Sequence, residues 1–244
     1  MMNKFSFSKH ILIITLAATI SGCAGKLANQ TYDDHRISDP LKPINEKLYV
    51  ANIFLDLAVV RPVATGYDYI TPPFIRNRAS SFISNLTEPR NTINNLLQLK
   101  LKRSFTSLAR FTVNSTLGIV GLFDIMGRSG VPSKPEDFGQ TLGYWGFKPG
   151  AYIYLPLFGP SSVRDSIGRV GDFLMFSPQS LVNSTSAQVG TTVLTVVETR
   201  ADLLRFDPIL KRQVNIYNFL KNGYEQTRVN QIFDGNPPEQ EEDF

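Results

Sequence analysis

The side chains able to do covalent chemistry are few, and their positions narrow the chemistry before any element is drawn. Histidine occurs twice, as His10 and His35, both ahead of the first patterned segment. The folded body is therefore expected to hold no histidine. Ser-His-Asp and Cys-His hydrolase arrangements, HExxH sites and most zinc sites go with it. The one S-x-x-K run, Ser6 to Lys9, lies at the extreme N-terminus, and neither G-x-S-x-G nor the phosphate-cradling G-x-x-x-x-G-K-S/T occurs. Glu88, Asp124, Asp137, Asp165 and Asp172 remain as material for a carboxylate pair or metal site, but each reads more simply as a helix cap or an arginine partner. Cys23 is the single cysteine, which excludes an intramolecular disulfide, a CxxC redox pair and a multi-cysteine metal site. No catalytic residue, metal ligand or cofactor is assigned.

What surrounds Cys23 is more telling. Lys4 and Lys9 flank the start of an apolar stretch, Ile11 to Ile20, that is too short to span a bilayer. Ile20-Ser21-Gly22-Cys23 closes it and resembles the lipobox of bacterial lipoproteins, in which the cysteine becomes the lipidated N-terminus. Residues 1–22 read as a lipoprotein signal peptide and Cys23 as a lipid anchor. Ala24 is not the Asp that holds such proteins at the inner membrane, so the expected address is the outer membrane, facing the periplasm. Two or more acyl chains hold more firmly than one. Loss of Lys4 and Lys9 with the signal lowers the net charge from +4 to +2, and nucleic-acid binding is not expected.

The elements that must position any site are mainly helical. Residues 23–38 are weakly patterned and suit a flexible tether that holds His35. Residues 39–234 form one domain, for which a 42% hydrophobic composition supplies ample core. Helical spacing runs from Asn45 to Val60, with Arg61-Pro62 as its end. Pro72-Pro73 opens a second helix, with Phe74, Ile75, Phe82 and Ile83 on one side and Arg76 and Arg78 on the other. Glu88-Pro89 starts a third. Lys100 to Leu117 is the clearest amphipathic helix, and its basic start, Lys100, Lys102 and Arg103, reads either as a solvated face or as contact with lipid phosphates. Gly118 to Gly130 is apolar and broken by glycines, and reads either as a buried turn or as an apolar hairpin entering a lipid path. Ala151 to Leu157 predicts a short extended piece with no evident sheet partner. Helices follow at Val163 to Met175, with Ser161 or Ser162 as N-cap, at Ser186 to Phe206, and at Asp207 to Phe233. The acidic tail, 235–244, suits disorder. No run of about 18 apolar residues spans a bilayer after the leader.

Read in order, Asp39-Pro40-Leu41, Asn45, Arg61-Pro62, Asn114-Ser115-Thr116-Leu117-Gly118, Gly121-Leu122-Phe123-Asp124, Asp137-Phe138-Gly139-Gln140-Thr141-Leu142-Gly143, Gly159-Pro160-Ser161-Ser162-Val163-Arg164-Asp165 and Glu198-Thr199-Arg200-Ala201 resemble the MlaA (VacJ) family of outer-membrane lipoproteins. The resemblance covers about residues 39 to 230. It implies a ring-like helical domain of amphipathic helices embedded in one leaflet, with no large sheet. An amphipathic channel in that ring would remove phospholipid mislocalised to the outer leaflet. The implied partners are phospholipid, a trimeric porin, and a periplasmic carrier feeding an ATP-driven ABC complex in the inner membrane. It implies no enzyme activity.

Carried onto this chain, the channel or hinge features are Gly118, Gly121, Gly127 and Gly130, with Gly146 and Gly150 in a second loop. Lys148 departs from the small residues frequent there. Headgroup contacts are expected from Arg103, Lys148, Arg164 and Arg169. The alternative function is a structural lipoprotein that scaffolds porins or envelope layers without moving lipid.

Overall fold

The computed structural model describes residues 30–175 and 184–239; Cys23, the leader and the end of the acidic tail lie outside the described residues. Helix α1 (Lys42–Leu55) starts on Pro43 in its first turn. It does not stop at Arg61-Pro62. A wide π-helical turn over Asp56–Val60 carries it into α2 (Arg61–Ile70), where Pro62 sits in the first turn. The widened turn makes room for a ring that would otherwise strike the preceding carbonyl. The result is one 29-residue helical run, Lys42–Ile70, long and apolar enough by length and composition to cross a membrane. Reading Pro62 as a terminator concealed it.

Helix α3 (Pro73–Leu97) runs through Pro89, so Glu88-Pro89 does not begin a separate helix. An interior proline costs about 3 kcal/mol. Bonds on both sides of it hold the helix in line: Glu88 pairs with Arg110 at 2.6 Å, and the Asn91 side chain accepts from the Glu136 backbone at 3.0 Å. Leu99, at φ 59°, turns the chain, and α4 (Leu101–Thr116) returns against α3. A loop and a single helical turn at Ile125–Arg128 lead to α5 (Phe138–Tyr144), capped by the Asp137 carboxylate, which accepts from Gln140 N at 2.8 Å.

The extended piece finds a partner after all. Strand β1 (Tyr152–Leu155) pairs antiparallel with β2 (Gly159–Ser162), Tyr152 opposite Ser162. On its other side α1 presents two asparagines one heptad apart in place of a third strand. Asn45 donates to Tyr152 O at 2.9 Å and accepts from Tyr154 N at 2.9 Å. Asn52 donates to Leu155 O at 2.8 Å and accepts from Leu157 N at 2.7 Å. Among the described residues this hairpin is the only sheet.

Ser162 is the N-cap of α6 (Val163–Met175), its hydroxyl accepting from Asp165 N at 3.2 Å. Helix α7 (Thr185–Leu203) packs against α2 and α3. The final helix is shorter than Asp207 to Phe233: Asp207–Leu210 makes one turn, the chain breaks, and Asn215 caps α8 (Ile216–Ile232) by accepting from Asn218 N at 2.9 Å. The tether is also shorter than expected. Tyr32, His35 and Ile37 are buried, Ile37 N donates to Glu225 Oε2 at 2.8 Å, and the His35 ring meets Phe233 edge-on at 5.3 Å. The folded body therefore does hold a histidine. The largest apolar cluster is mostly tyrosine, with Tyr152, Tyr154 and Tyr217 around Ile37.

Candidate functional site

The helices are turned inside out. On α4 the apolar residues Leu101, Phe105 and Leu108 are exposed, while Ser104, Ser107, Arg110 and Asn114 are buried. On α6, Val163, Ile167, Val170 and Phe173 face out and Arg164, Asp165 and Asp172 face in. Among the described residues 22 polar or charged side chains are buried against ten apolar ones, and 36 large apolar side chains are exposed. A water-soluble domain exposes apolar residues singly. Inversion on this scale requires an apolar surrounding.

Most of the buried polar groups satisfy one another, although Asn85 Oδ1 and Asn95 Oδ1 have no hydrogen-bond partner. Asn85, Glu88, Asn91, Asn94, Asn95 and Gln98 form an inward stripe on α3. Asn94 donates to Asp172 at 3.0 Å and accepts from Thr141 at 2.8 Å, and Gln98 donates to Glu136 at 2.9 Å. Arg110 joins Glu88 to Asp124 at 3.1 Å and also donates to Val131 O. Near the other end Arg228 holds Asp137 at 2.6 Å and Asp165 at 2.9 Å, and Arg164 and the Tyr224 hydroxyl complete the coordination of Asp165. Burial alone would raise both carboxyls, yet Arg228 outweighs it and holds both below the usual carboxylate range. Glu88, Asp124, Asp137 and Asp165 are thus spent on helix caps and arginine partners, and Asp172 accepts from Asn94 and from Phe138 N.

One opening differs from this closed interior. Phe74, Ala79 and Phe82 of α3, Leu122 of the loop after α4 and Leu194 of α7 line an apolar slot of about 470 Å³, the size of a ligand site. Arg78 borders it, its guanidinium 4.4 Å from the Phe123 ring centroid and 4.9 Å from that of Phe74. It donates to Leu122 O at 3.2 Å, has no carboxylate partner among the described residues, and its Nε is buried with no hydrogen-bond partner. Residues 74, 78 and 82 share one stripe at i, i+4 and i+8. Arg78 therefore lies with Phe74 and Phe82, not on the opposite side. That spacing was available in the sequence.

The sequence-nominated residues fall elsewhere. A Cβ at Gly118 would overlap the Phe123 carbonyl oxygen, one at Gly121 would lie 2.5 Å from Asn85 Nδ2, and one at Gly127 would overlap the Asp124 carboxylate. These glycines permit close packing of the loop against Asn85, Asn114 and Asp124. Gly130 faces open space, and Gly150 lies beside Val163. Gly146 and Gly150 both have positive φ. Gly118, Gly121 and Gly127 are packed as in a turn, while Leu117, Ile119 and Val120 project outward at 72%, 59% and 63% exposure. Ile119 and Val120 take left-handed φ of 52° and 56°, a strained state for β-branched residues.

Of the four cations, Arg164 is buried against Asp165 and cannot meet a headgroup. Arg103 is held by Asp234, with Glu136 at 3.8 Å, and Lys100 shares both partners. Those contacts favour neither the solvated face nor the lipid-phosphate reading of that helix start, since Lys100 and Arg103 are used internally while Lys102 is exposed. Lys148 is exposed, 3.4 Å from Asp34, and Arg169 lies 5.2 Å from the Phe158 ring centroid. None of the four lines the slot.

Comparison with known proteins agrees with this architecture. The family described as MlaA lipoprotein matches residues 37–231. The Escherichia coli intermembrane phospholipid transport system lipoprotein MlaA is 34% identical over 210 residues, covering 84% of this chain and 81% of its own length. Its Haemophilus influenzae namesake is 29% identical over 240 residues, covering 96% and 95%. A Rickettsia conorii protein is 34% identical over 193 residues, covering 79% and 77%. A structure solved in work on the structural basis for maintenance of bacterial outer membrane lipid asymmetry superposes with a TM-score of 0.71 at 32% identity, covering 82% of this chain and all of that one.

Proposed function

The chain belongs to the MlaA lipoprotein family, and from that membership we propose that it lies in the periplasmic leaflet of the outer membrane and gives mislocalised phospholipid a path out of the opposite leaflet. It is a lipoprotein of intermembrane phospholipid transport, serves outer-membrane lipid asymmetry, and is not an enzyme. The observation that carries the placement is the inversion of α4 and α6. Their apolar faces point outward, where hydrocarbon gains about 25 cal/mol for each Å² of apolar surface removed from water.

Cys23 is the anchor, exposed by cleavage after residue 22, and the helical run Lys42–Ile70 lies with its apolar side chains, such as Val50, Phe54 and Ile70, in acyl chains. The polar interior holds the helices together while their apolar faces meet hydrocarbon, and the ring-like arrangement with a path for headgroups is supported by the family membership. In this reading the slot between α3 and α7 receives an acyl chain and Arg78 meets the phosphate. A trimeric porin holds the protein in place, and a periplasmic carrier takes the lipid onward to the ATP-driven inner-membrane complex. The sequence has no phosphate-binding loop for ATP, so this chain supplies the path and the direction comes from that complex.

Photo-crosslinking tests the path. A benzophenone side chain at position 82 or 194 should capture phospholipid in cells, as adducts identified by mass spectrometry, whereas one at the fully exposed Val214 should capture far less. Phospholipid adducts absent from both slot positions would refute this reading of the slot.

A further inference from the structure

Arg78 borders the slot and Glu198 lies one helical turn beyond its lining residue Leu194, and neither charge forms an ion pair among the described residues. Glu198 is only 6% exposed, and its Oε2 is buried with no hydrogen-bond partner. Helix α7 brings it to the site, because Leu194 lines the slot and Glu198 follows one turn later on the same face. Arg200, two residues on, points away and is taken up by Asp56 at 2.7 Å and Asp207 at 3.1 Å. The Tyr67 hydroxyl lies beside Glu198, buried and without a hydrogen-bond partner of normal geometry; burial, and then that carboxylate, push it up to about 12. Arg76 pairs with Asp68 through one terminal nitrogen, its Nε is buried without a partner, and it forms no ion pair with Glu198.

A buried carboxylate with no counter-ion, one oxygen unpartnered and only the Tyr67 hydroxyl beside it, is destabilised unless something positive reaches it. A phosphate complements Arg78 and repels Glu198. A ligand that satisfies both carries a negative and a positive group side by side. Taking the slot as the lipid path, we propose that it recognises a zwitterionic phospholipid headgroup bearing a primary ammonium, with the phosphate on Arg78 and the ammonium on Glu198. The acyl chain lies along Phe74, Phe82 and Leu194. The ammonium N–H groups donate to Glu198 Oε2 and to the Tyr67 hydroxyl oxygen. A trimethylated headgroup has no such donors, and an uncharged polyol headgroup leaves Glu198 without its counter-ion.

The test uses the full lipidated protein, equilibrated in nanodiscs holding equal amounts of phosphatidylethanolamine, phosphatidylglycerol and phosphatidylcholine, with co-purifying lipid quantified by mass spectrometry. Loss of one hydrogen bond to a charged group corresponds to roughly tenfold in affinity. Phosphatidylethanolamine should therefore be enriched about tenfold over each competitor. Glu198→Gln should bring the ratios close to one by lowering phosphatidylethanolamine binding alone, and Arg78→Gln should lower binding of all three lipids. Wild-type protein carrying the lipids in the ratio supplied would overturn headgroup recognition while leaving the lipid path intact, and this comparison requires no variant to fold. Enrichment that survives Glu198→Gln would overturn the assignment to Glu198. Wild-type protein that carries no phospholipid would overturn both the headgroup assignment and the path.

Discussion

Replacing Arg110 with methionine should expose how the inverted interior is held together. The side chain is 1% exposed and its partner Glu88 is 0% exposed, joined at 2.6 Å; the same guanidinium reaches Asp124 at 3.1 Å and Val131 O. Methionine fills much of the volume but leaves Glu88 buried without a counter-ion, and breaking a buried pair from one side costs about 3–5 kcal/mol. At about 2–4 °C per kcal/mol for a chain of this size, thermal unfolding in a fixed detergent should drop by roughly 6–20 °C. The companion Glu88→Leu should show a similar loss. The double variant should recover most of it, giving a coupling of about 2 kcal/mol or more, because no charge is then stranded. The effect should also reach the slot, since Asp124 caps the turn beyond Leu122 and Phe123 and would lose an arginine. Single variants within about 1 kcal/mol of wild type, or losses that simply add in the double variant, would refute the reasoning.

Gly121→Ala combines a left-handed φ of 87° with a Cβ 2.5 Å from Asn85 Nδ2, which should lower stability by about 2–4 kcal/mol in denaturation and displace the slot-lining loop; unchanged stability would mean the loop moves freely. Asn45→Ala removes both bonds to the edge of β1 and should cost about 2–4 kcal/mol in the same assay, with no such loss if water replaces the side chain. Burial, and then Arg164, depress His35 to about 4, so the folded state favours its neutral form. That contribution is fully present above the unfolded value near 6.5 and is lost as pH falls from there towards 4, an effect of about 3 kcal/mol. Stability measured across that window should fall more steeply for wild type than for His35→Gln; parallel curves would contradict it.

Helix content was legible because spacing, proline and cap residues act locally, and Ser162 starts a helix as its type predicts; the short helix Phe138–Tyr144 was not expected, and Asp207 lies inside its turn with Phe206 as N-cap. Pro62 and Pro89 misled because tertiary bonds outweigh a local rule, Arg200 holding Asp56 beside the first and Arg110 holding Glu88 beside the second. The extended piece Ala151–Leu157 lacked a visible partner because β2 is Gly-Pro-Ser-Ser, residues with little strand preference, and because two asparagines of a distant helix serve as its other edge. The glycine run was correctly singled out as unusual, but composition cannot separate a glycine that bends from one that lets Asn85 come close. The slot escaped notice for a related reason. Amphipathic spacing marks an apolar face without saying whether it turns toward a core or a membrane, and Glu198 gains its meaning only from the missing partner.

The most direct test of the central claim is the amount of phospholipid in the outer leaflet of the outer membrane, read with a surface-confined probe on cells lacking the protein and on cells complemented with it. Deletion should raise that amount and wild-type protein should restore it. Cys23→Ala, which removes the anchor, and Ala79→Trp, which fills the slot, should both fail to restore it at equal protein level. Full restoration by Ala79→Trp would contradict the conduit and leave a scaffold that moves no lipid.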